Sequence, residues 1–222
     1  MPVTAKICGL STPETLDAAI RGGASHVGLL FFAPSPRNLS RERAAQLAAR
    51  VPAHVMRVGV FVDPDDAHLE ASIGAGQLQV LQLHNTSPAR AAAIKARTGL
   101  EIWAAVAVKT RADLAAAPGY TGAADRILYD AKTPPGAVIP GGMGVRFDWS
   151  LLQGVRHALP WALSGGLDPF NVAEAVAITG ATMVDVSSGV ETAPGIKDAG
   201  KIAAFLDTVK GLQGNARSTR RA

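Results

Sequence analysis

Eight short apolar segments, rich in β-branched residues, recur along the chain and predict β-strands. They are Val3–Cys8, His26–Phe32, Val55–Val62, Leu78–His84, Glu101–Val108, Arg126–Asp130, Ala158–Ser164 and Thr182–Ser187. Several are almost continuously apolar, as in Val27–Phe32, which is typical of strands covered on both faces in a parallel sheet. Helix-length stretches separate the segments, so the pattern predicts strands and helices in alternation throughout.

Several of the intervening stretches open with a capping residue followed by proline, a pair that suits the first turn of a helix. These pairs are Thr12-Pro13, Asp63-Pro64, Ser87-Pro88 and Asp168-Pro169. Ser40 is predicted to cap a further helix, and Gly180 is predicted to end one because glycine readily adopts the left-handed conformation. Most connections therefore carry their own start or stop signal.

The repeated strand–helix unit favours a single-domain (β/α)8 TIM barrel of eight parallel strands. With 222 residues, the chain has the length that such a barrel needs, which is roughly 200 residues or more. An open doubly wound sheet is the alternative, but no Gly-x-Gly-x-x-Gly follows the first strand. We expect the barrel domain to cover residues 1–211.

The net charge of +4 changes this picture little, because three of the 22 basic residues lie in the last six positions. Without Arg217, Arg220 and Arg221 the basic and acidic residues nearly balance. We therefore expect residues 212–222 to form a disordered basic tail and expect no nucleic-acid partner. The single cysteine and the lack of a long apolar segment predict a cytoplasmic protein with no membrane contact.

Polar residues at the predicted carboxyl ends of the strands are candidates for catalysis, because that face of a barrel carries the active site. They are Cys8, Arg37, His84, Asp130 and Asp185. An apolar setting would keep Asp130 protonated, as a general acid requires, although the residue could instead cap a helix. Cys8 could serve as a base or be an inert buried thiol, and Arg37 could bind a carboxylate.

Glycine-rich loops follow the last three strands and could bind a phosphate through backbone N–H groups. The candidate phosphate-binding residues are Gly144, Gly165, Gly166, Ser188 and Gly189. Tight strand-to-helix turns are the alternative explanation for these glycines, but two such loops after strands seven and eight favour phosphate. We expect no metal, since His84 has no partner at metal-site spacing.

Seven motifs in order along residues 3–210 together resemble phosphoribosylanthranilate isomerase. They are Lys6-Ile7-Cys8-Gly9, Ser35-Pro36-Arg37, Arg57-Val58-Gly59-Val60-Phe61, Gln82-Leu83-His84, Asp130 with a glycine-rich loop and Phe147-Asp148-Trp149, Leu163-Ser164-Gly165-Gly166-Leu167, and Asp185-Val186-Ser187-Ser188-Gly189-Val190-Glu191. The resemblance implies a barrel isomerase of tryptophan biosynthesis that performs an Amadori rearrangement of N-(5-phosphoribosyl)anthranilate. It implies no cofactor.

The resemblance also implies roles for individual residues. Cys8 becomes the general base, Asp130 the general acid and Arg37 the residue that holds the anthranilate carboxylate, while His84 and Asp185 contact or orient the substrate. Two departures stand out: Met143 replaces a hydroxyl residue that could contact phosphate, and Tyr129 replaces an aliphatic neighbour of the acid and could alter its polarity.

Two other functions fit the same loops. One is a different phosphate-handling barrel isomerase, whose histidine-pathway members use paired aspartates. The other is a non-catalytic barrel that binds a phosphorylated ligand. The sequence leaves open the ionisation state of Cys8, activity toward the histidine-pathway substrate, and the choice between a monomer and a homodimer.

Overall fold

The computed structural model shows a closed barrel of eight parallel strands in the order β1 to β8, with β8 paired to β1. It describes residues 2–134, 136, 141–142 and 144–218, with the backbone alone for residues 213–218. The strands are β1 Thr4–Cys8, β2 His26–Leu30, β3 Met56–Val62, β4 Val80–His84, β5 Glu101–Val108, β6 Arg126–Ala131, β7 Trp161–Leu163 and β8 Met183–Val186. The predicted barrel and all eight predicted strands are confirmed.

Six α-helices surround the barrel in the described part of the chain. They are α1 Pro13–Arg21, α2 Arg41–Ala48, α3 Asp66–Gly76, α4 Pro88–Thr98, α5 Val172–Thr179 and α6 Ala199–Ser218. The expectation of a helix after every strand is wrong in two places. A 3-10 helix, Arg111–Tyr120, follows β5, and the 3-10 turn Trp149–Leu152 is the helical element described between β6 and β7. Pro118 lies inside the 3-10 helix that follows β5. Because proline has no N–H to donate, it disfavours a regular α-helix in this connection.

Three of the predicted capping residues cap helices in the structure. Thr12, Ser40 and Ser87 each have extended backbone, and their side-chain oxygens accept hydrogen bonds from N–H groups three residues later. The predicted helix end at Gly180 is also confirmed, with a left-handed φ of 70°. These helix ends could be predicted from the sequence because each capping hydrogen bond joins residues only three or four positions apart.

Two predicted helix starts are displaced along the chain. Asp63 adopts a left-handed φ of 40°, and Asp65 caps α3 in its place. The Asp168 carboxylate accepts hydrogen bonds from the N–H groups of Phe170 and Asn171, at 2.7 and 2.9 Å, and so closes a turn before α5 begins. In both loops an Asp-Pro pair makes a turn rather than a cap.

Side chains along each strand alternate between two buried layers. The larger layer lies between the strands and the helices. A smaller apolar cluster lies inside the barrel and consists of Cys8, Val58, Val60, Val80, Trp103, Leu128, Ala162 and Met183. The polar side chains buried with the interior strands, Lys6, Gln82, His84, Asp130 and Asp185, belong to the half of the barrel near the strand ends.

The C-terminal helix anchors the end of the chain. Ile202, Phe205 and Leu206 of α6 are buried, and Leu212 is partly buried against the same core. The helix backbone continues to Ser218, past the position where the basic tail was expected to begin, and residues 219–222 lie outside the described residues. Among the helices of the described chain, none is long and apolar enough to cross a membrane.

Candidate active site

Cys8 ends β1 and is buried, with 6% of its surface exposed. Its register partner on β2 is Gly28, and a Cβ atom at that position would lie 3.0 Å from the Cys8 Sγ and 3.1 Å from the Lys6 Cε. Burial and the nearby Asp185 raise the pKa of the thiol, while Lys6 and Lys197 oppose the shift. At neutral pH Cys8 is therefore mainly a thiol in the absence of a ligand.

Asp130 lies near the end of β6, in the same half of the barrel. Burial, reinforced by the negative charge of Asp185, raises the pKa of its carboxyl group to about 7. The Oδ1 atom accepts a hydrogen bond from the Ala131 N–H at 2.8 Å, which is too weak an opposing effect to keep the group ionised. The Asp130 carboxyl therefore stays substantially protonated near neutral pH, and its role as a general acid stays a prediction.

Asp185, a predicted substrate-binding residue, is bound to a lysine that the sequence analysis did not single out. The Lys6 Nζ lies 2.9 Å from the Asp185 Oδ1, and Lys6 has no exposed surface. The hydroxyl of Ser164 lies 3.4 Å from the other oxygen of Asp185, and Ser164 lines the same cavities as Asp130. The sequence carries one signal for a role of Lys6: it is two residues before Cys8 in an apolar strand, so both side chains point to the same side.

Arg37 is almost fully buried and forms a two-bond ion pair with Glu191. Its Nε and Nη2 atoms each lie 2.7 Å from a Glu191 oxygen, and Nη2 also donates to the Gly142 carbonyl oxygen at 2.8 Å. Lys197 lies 2.6 Å from the same carboxylate. Burial raises the pKa of Glu191, but Arg37 and Lys197 together lower it below its ordinary value, so Glu191 is ionised.

Glu191 and Lys197 belong to a small hairpin that follows β8. Its strands are Glu191–Ala193 and Ile196–Lys197, which pair in antiparallel fashion. In the sequence, Glu191 is the last residue of the Asp185–Glu191 motif, and no role is predicted for it. Its part in fixing Arg37 depends on a contact between residues 154 positions apart.

His84 ends β4 and is buried beside the Gln82 side chain. Its Nε2 atom lies 2.9 Å from the Gln82 Nε2. Burial, with a contribution from the positive charge of Lys6, lowers the pKa of His84 to about 4. The ring is therefore neutral at physiological pH and can exchange hydrogen bonds with a ligand without carrying charge.

The predicted phosphate-binding residues gather in three closely packed loops. Gly144, Gly165 and Gly166 all have left-handed φ angles, of 70°, 84° and 68°. At Gly189 a Cβ atom would lie 1.9 Å from the Leu167 carbonyl oxygen, so only glycine fits between the two last loops. Gly144, Gly165, Gly166 and Ser188 line one cavity, and Gly189 lines the adjoining one. Met143 lies outside the described residues.

Two cavities meet above the strand ends. One is bordered by Arg37, Cys8 and an apolar wall, and the other by the glycine loops. The apolar wall consists of Leu30, Phe32, Val60 and Val62. Both cavities share Asp130, Gly141, Gly142, Ser164, Asp185 and Ser187. Asp130 therefore lies between an apolar end with a guanidinium and a polar end rich in backbone N–H groups.

Tyr129 does not contribute to this cavity. It belongs to the outer apolar layer, whereas Asp130 faces the interior, because adjacent strand residues point to opposite sides. The Tyr129 hydroxyl lies 3.1 Å from the His157 Nδ1, and its ring packs against Trp161. The tyrosine is therefore accommodated in the outer layer, on the opposite side of the strand from Asp130.

We predict that Gly189→Ala weakens binding of inorganic phosphate by about tenfold or more, the equivalent of at least 1.4 kcal/mol. The added methyl group would push the Leu167 carbonyl away and separate the two loops. Titration calorimetry with inorganic phosphate measures the effect. Gly211→Ala is the control, because a Cβ atom there meets nothing within 4 Å. Equal phosphate affinity in the two folded variants would contradict the predicted binding loops.

We also predict that Asp130→Asn stabilises the fold at high pH. Since the pKa of Asp130 is raised from 3.8 to about 7, folding favours the protonated form, and the resulting stability is lost as the pH rises through 7. Asparagine does not titrate, so the variant should gain up to about 4 kcal/mol over wild type between pH 4 and pH 8. Urea unfolding across this range, with Asp207→Asn as the exposed control, measures it; a constant difference would refute the raised pKa.

This chain is similar to known proteins over nearly its whole length. Among curated relatives, the N-(5'-phosphoribosyl)anthranilate isomerase of Paramagnetospirillum magneticum is 53% identical over 212 residues, covering 95% of this chain and 99% of the relative. The enzyme of the same name from Zymomonas mobilis subsp. mobilis is 54% identical over 212 residues, with the same coverage of 95% and 99%.

Solved structures agree with the sequence relatives. Phosphoribosyl anthranilate isomerase from Thermotoga maritima matches with a TM-score of 0.84 and 37% identity, covering 94% of this chain and 99% of that chain. A phosphoribosyl anthranilate isomerase in complex with reduced 1-(o-carboxyphenylamino)-1-deoxyribulose 5-phosphate matches at 0.80 and 33%, with coverage of 94% and 99%. The family model described as N-(5'phosphoribosyl)anthranilate (PRA) isomerase matches residues 5–208, and this chain therefore belongs to that isomerase family.

Proposed function

We propose that Cys8 and Asp130 carry the proton transfers by which this chain converts N-(5-phosphoribosyl)anthranilate to 1-(2-carboxyphenylamino)-1-deoxyribulose 5-phosphate. The reaction is the intramolecular oxidoreduction of its family, an aldose–ketose isomerisation in tryptophan biosynthesis. The observation that carries the assignment is the position of Asp130, which borders both the apolar cavity beside Cys8 and the cavity of the glycine loops.

The two ends of the cavity fit the two ends of the substrate. The apolar wall of Leu30, Phe32 and Val60 suits an aromatic ring, and Arg37 beside it suits the ring's carboxylate. The backbone N–H groups of the glycine loops suit the phosphate. A related enzyme of known structure binds a reduced product that carries both a carboxyphenyl group and a phosphate, which supports a ligand with these two ends.

Arg37 is held in place for this role. Glu191 uses the Nε–Nη2 edge of the guanidinium, and no described residue accepts a hydrogen bond from Nη1. We expect the substrate carboxylate to bind at Nη1 rather than across the two-bond edge. Glu191 thus fixes the direction of the remaining donor before the substrate arrives, which lowers the entropy cost of binding.

The first proton transfer opens the ribose ring. Asp130 donates its proton to the ring oxygen, the C1′–O bond breaks, and the nitrogen lone pair forms a C1′=N iminium ion. A carboxyl group with a pKa of about 7 is still substantially protonated at neutral pH, whereas an ordinary aspartic acid is not. Burial therefore gives this aspartate the proton that the step requires.

The second transfer completes the isomerisation. Cys8 removes the proton from C2′, the C–H electrons form the C1′=C2′ bond of an enolamine, and the iminium nitrogen becomes neutral. Tautomerisation of the enol at C2′ then gives the ketone. The raised pKa of the thiol means that the reactive pair, thiolate with carboxylic acid, is the minor form of the singly protonated site.

The other predicted residues act around these two. Neutral His84 borders the apolar cavity, where it can bond a ribose hydroxyl, and Asp185 acts through its contacts with Lys6 and Ser164. Membership of an isomerase family decides against the non-catalytic ligand-binding barrel considered from the sequence. We propose further that the enzyme works in the cytoplasm on its small phosphorylated substrate, as a monomer or a homodimer.

We predict that the purified protein depletes the fluorescence of the phosphoribosylanthranilate adduct, and that Cys8→Ala and Asp130→Asn each lower kcat by about 10² to 10⁴. Both variants should still bind a product analogue, because neither side chain anchors the phosphate or the carboxylate. Asp207→Asn on α6 is the control and should keep wild-type kcat. An inactive wild type would overturn the function, and full activity in Asp130→Asn would overturn the acid.

Arg37→Ala should raise KM by about 10- to 100-fold, the loss expected for a hydrogen bond to a charged group. Affinity for inorganic phosphate should stay the same, because the glycine loops bind that group. Arg43→Ala is the control, since this exposed arginine bonds only to Gln46 among the described residues. A KM unchanged in Arg37→Ala would show that the carboxylate binds elsewhere.

A further inference from the structure

A chain of polar contacts inside the barrel connects the proposed base to the proposed acid. The Lys6 Nζ lies 2.9 Å from one oxygen of Asp185, and Lys6 adjoins Cys8, since a Cβ atom at Gly28 would lie 3.0 Å from the Cys8 Sγ and 3.1 Å from the Lys6 Cε. The Ser164 hydroxyl lies 3.4 Å from the other oxygen of Asp185, and both residues line the same two cavities as Asp130. Lys6 and Asp185 are also register partners where β1 pairs with β8, so barrel closure itself brings them together.

We propose that Lys6 and Asp185 are positioning residues that favour, respectively, the thiolate form of Cys8 and the carboxylic acid form of Asp130. This inference rests on the proposed roles of Cys8 and Asp130 in the isomerisation. The positive charge of Lys6 thereby favours the charged form of the proposed base, and the negative charge of Asp185 favours the neutral form of the proposed acid.

The energetic cost of the pair supports a functional role. Lys6 has no exposed surface and Asp185 is 4% exposed, so both charges are removed from water. Buried ion pairs often stabilise a protein no better than apolar side chains of similar volume would. Burial of these two charges is therefore not explained by stability alone. Gly28 leaves the space that the Lys6 stem and the Cys8 thiol fill.

The signs of the surrounding charges agree with the proposal. Among the described charged groups near Cys8, Asp185 on β8 raises the pKa of the thiol, while Lys6 on its own strand and Lys197 on the hairpin lower it. Asp185 also raises the pKa of the Asp130 carboxyl, and Lys6 lowers it. Arg37 and Asp130 line the same cavity as Cys8, and the guanidinium of Arg37 is paired with Glu191.

The two histidines influenced by Lys6 add no charge near neutral pH. Burial lowers the pKa of His26 on β2 and of His84 on β4 to about 4, and Lys6 contributes to both shifts. The ammonium groups of Lys6 and Lys197 lower the pKa of the thiol, and Lys6 lies two residues before Cys8 on the same strand, so that both side chains point to the same side.

Substitution of the two partners should therefore move the thiol titration in opposite directions. In Lys6→Met the thiolate loses an attractive charge and should form at higher pH, by about one unit or more. In Asp185→Asn it loses a repulsive charge and gains an unpaired lysine, so it should form at lower pH by a similar amount. A purely structural pair would not produce shifts of opposite sign.

The experiment measures the ultraviolet absorbance of the Cys8 thiolate against pH in the full-length protein. Cys8 is the only cysteine, so Cys8→Ala provides the blank for each spectrum. Lys6→Arg keeps the charge and should titrate close to wild type. Lys95→Met is the matched control, because Lys95 pairs with Asp125 at 2.6 Å but does not face Cys8.

In the pH profile of kcat, the alkaline limb should follow the thiol titration, because the singly protonated site loses its last proton there. KM should stay nearly unchanged in Lys6→Met. If Lys6→Met does not fold, Lys6→Gln replaces it with the same expected shift. Thiol titrations that are unchanged, or that move in one direction in both variants, would overturn the proposal. Full activity in Cys8→Ala would instead overturn the proposed base, which separates the two failures.

Discussion

Closure of the sheet, through parallel pairing of β8 with β1, is the constraint on which the rest of this structure depends. It encloses an interior from which water is excluded, and it directs polar side chains from distant strands toward one space. Lys6 and Asp185 are separated by 179 positions in the chain but are register partners across the closing pair. Without that pairing, neither the acid nor the base has the surroundings described here.

The same loss of solvent produces most of the site's chemistry. Burial raises the pKa of Asp130 to about 7, raises the pKa of the Cys8 thiol and lowers the pKa of His84 to about 4. Each shift favours the neutral form of its group, because charge is costly away from water. The reaction needs an acid that keeps its proton and a base that loses one. Desolvation by itself keeps the proposed acid protonated, whereas deprotonation of the proposed base depends on the nearby cations.

Glu191 and Arg37 show a different use of burial. Their two-bond ion pair, with Lys197 on the same carboxylate, fixes a guanidinium that would otherwise sample many conformations. The apolar wall beside it and the glycine loops beyond Asp130 give the cavity two chemically distinct ends. These two ends are the basis of the proposed orientation, with the aromatic carboxylate at Arg37 and the phosphate at the glycine loops.

The sequence by itself determined the strand pattern, the caps at Thr12, Ser40 and Ser87, and the gathering of Cys8, Asp130 and the glycine loops at the strand ends. These features follow from local periodicity, from bonds spanning a few residues and from the rule that parallel strand ends share a face. Only the tertiary structure decided that Lys6 pairs with Asp185, that Glu191 holds Arg37, and that the described residues after β5 and β6 form 3-10 helices rather than α-helices. Those outcomes depend on contacts between residues far apart in the chain and on the free energy of burying charge, neither of which has a local sequence signal.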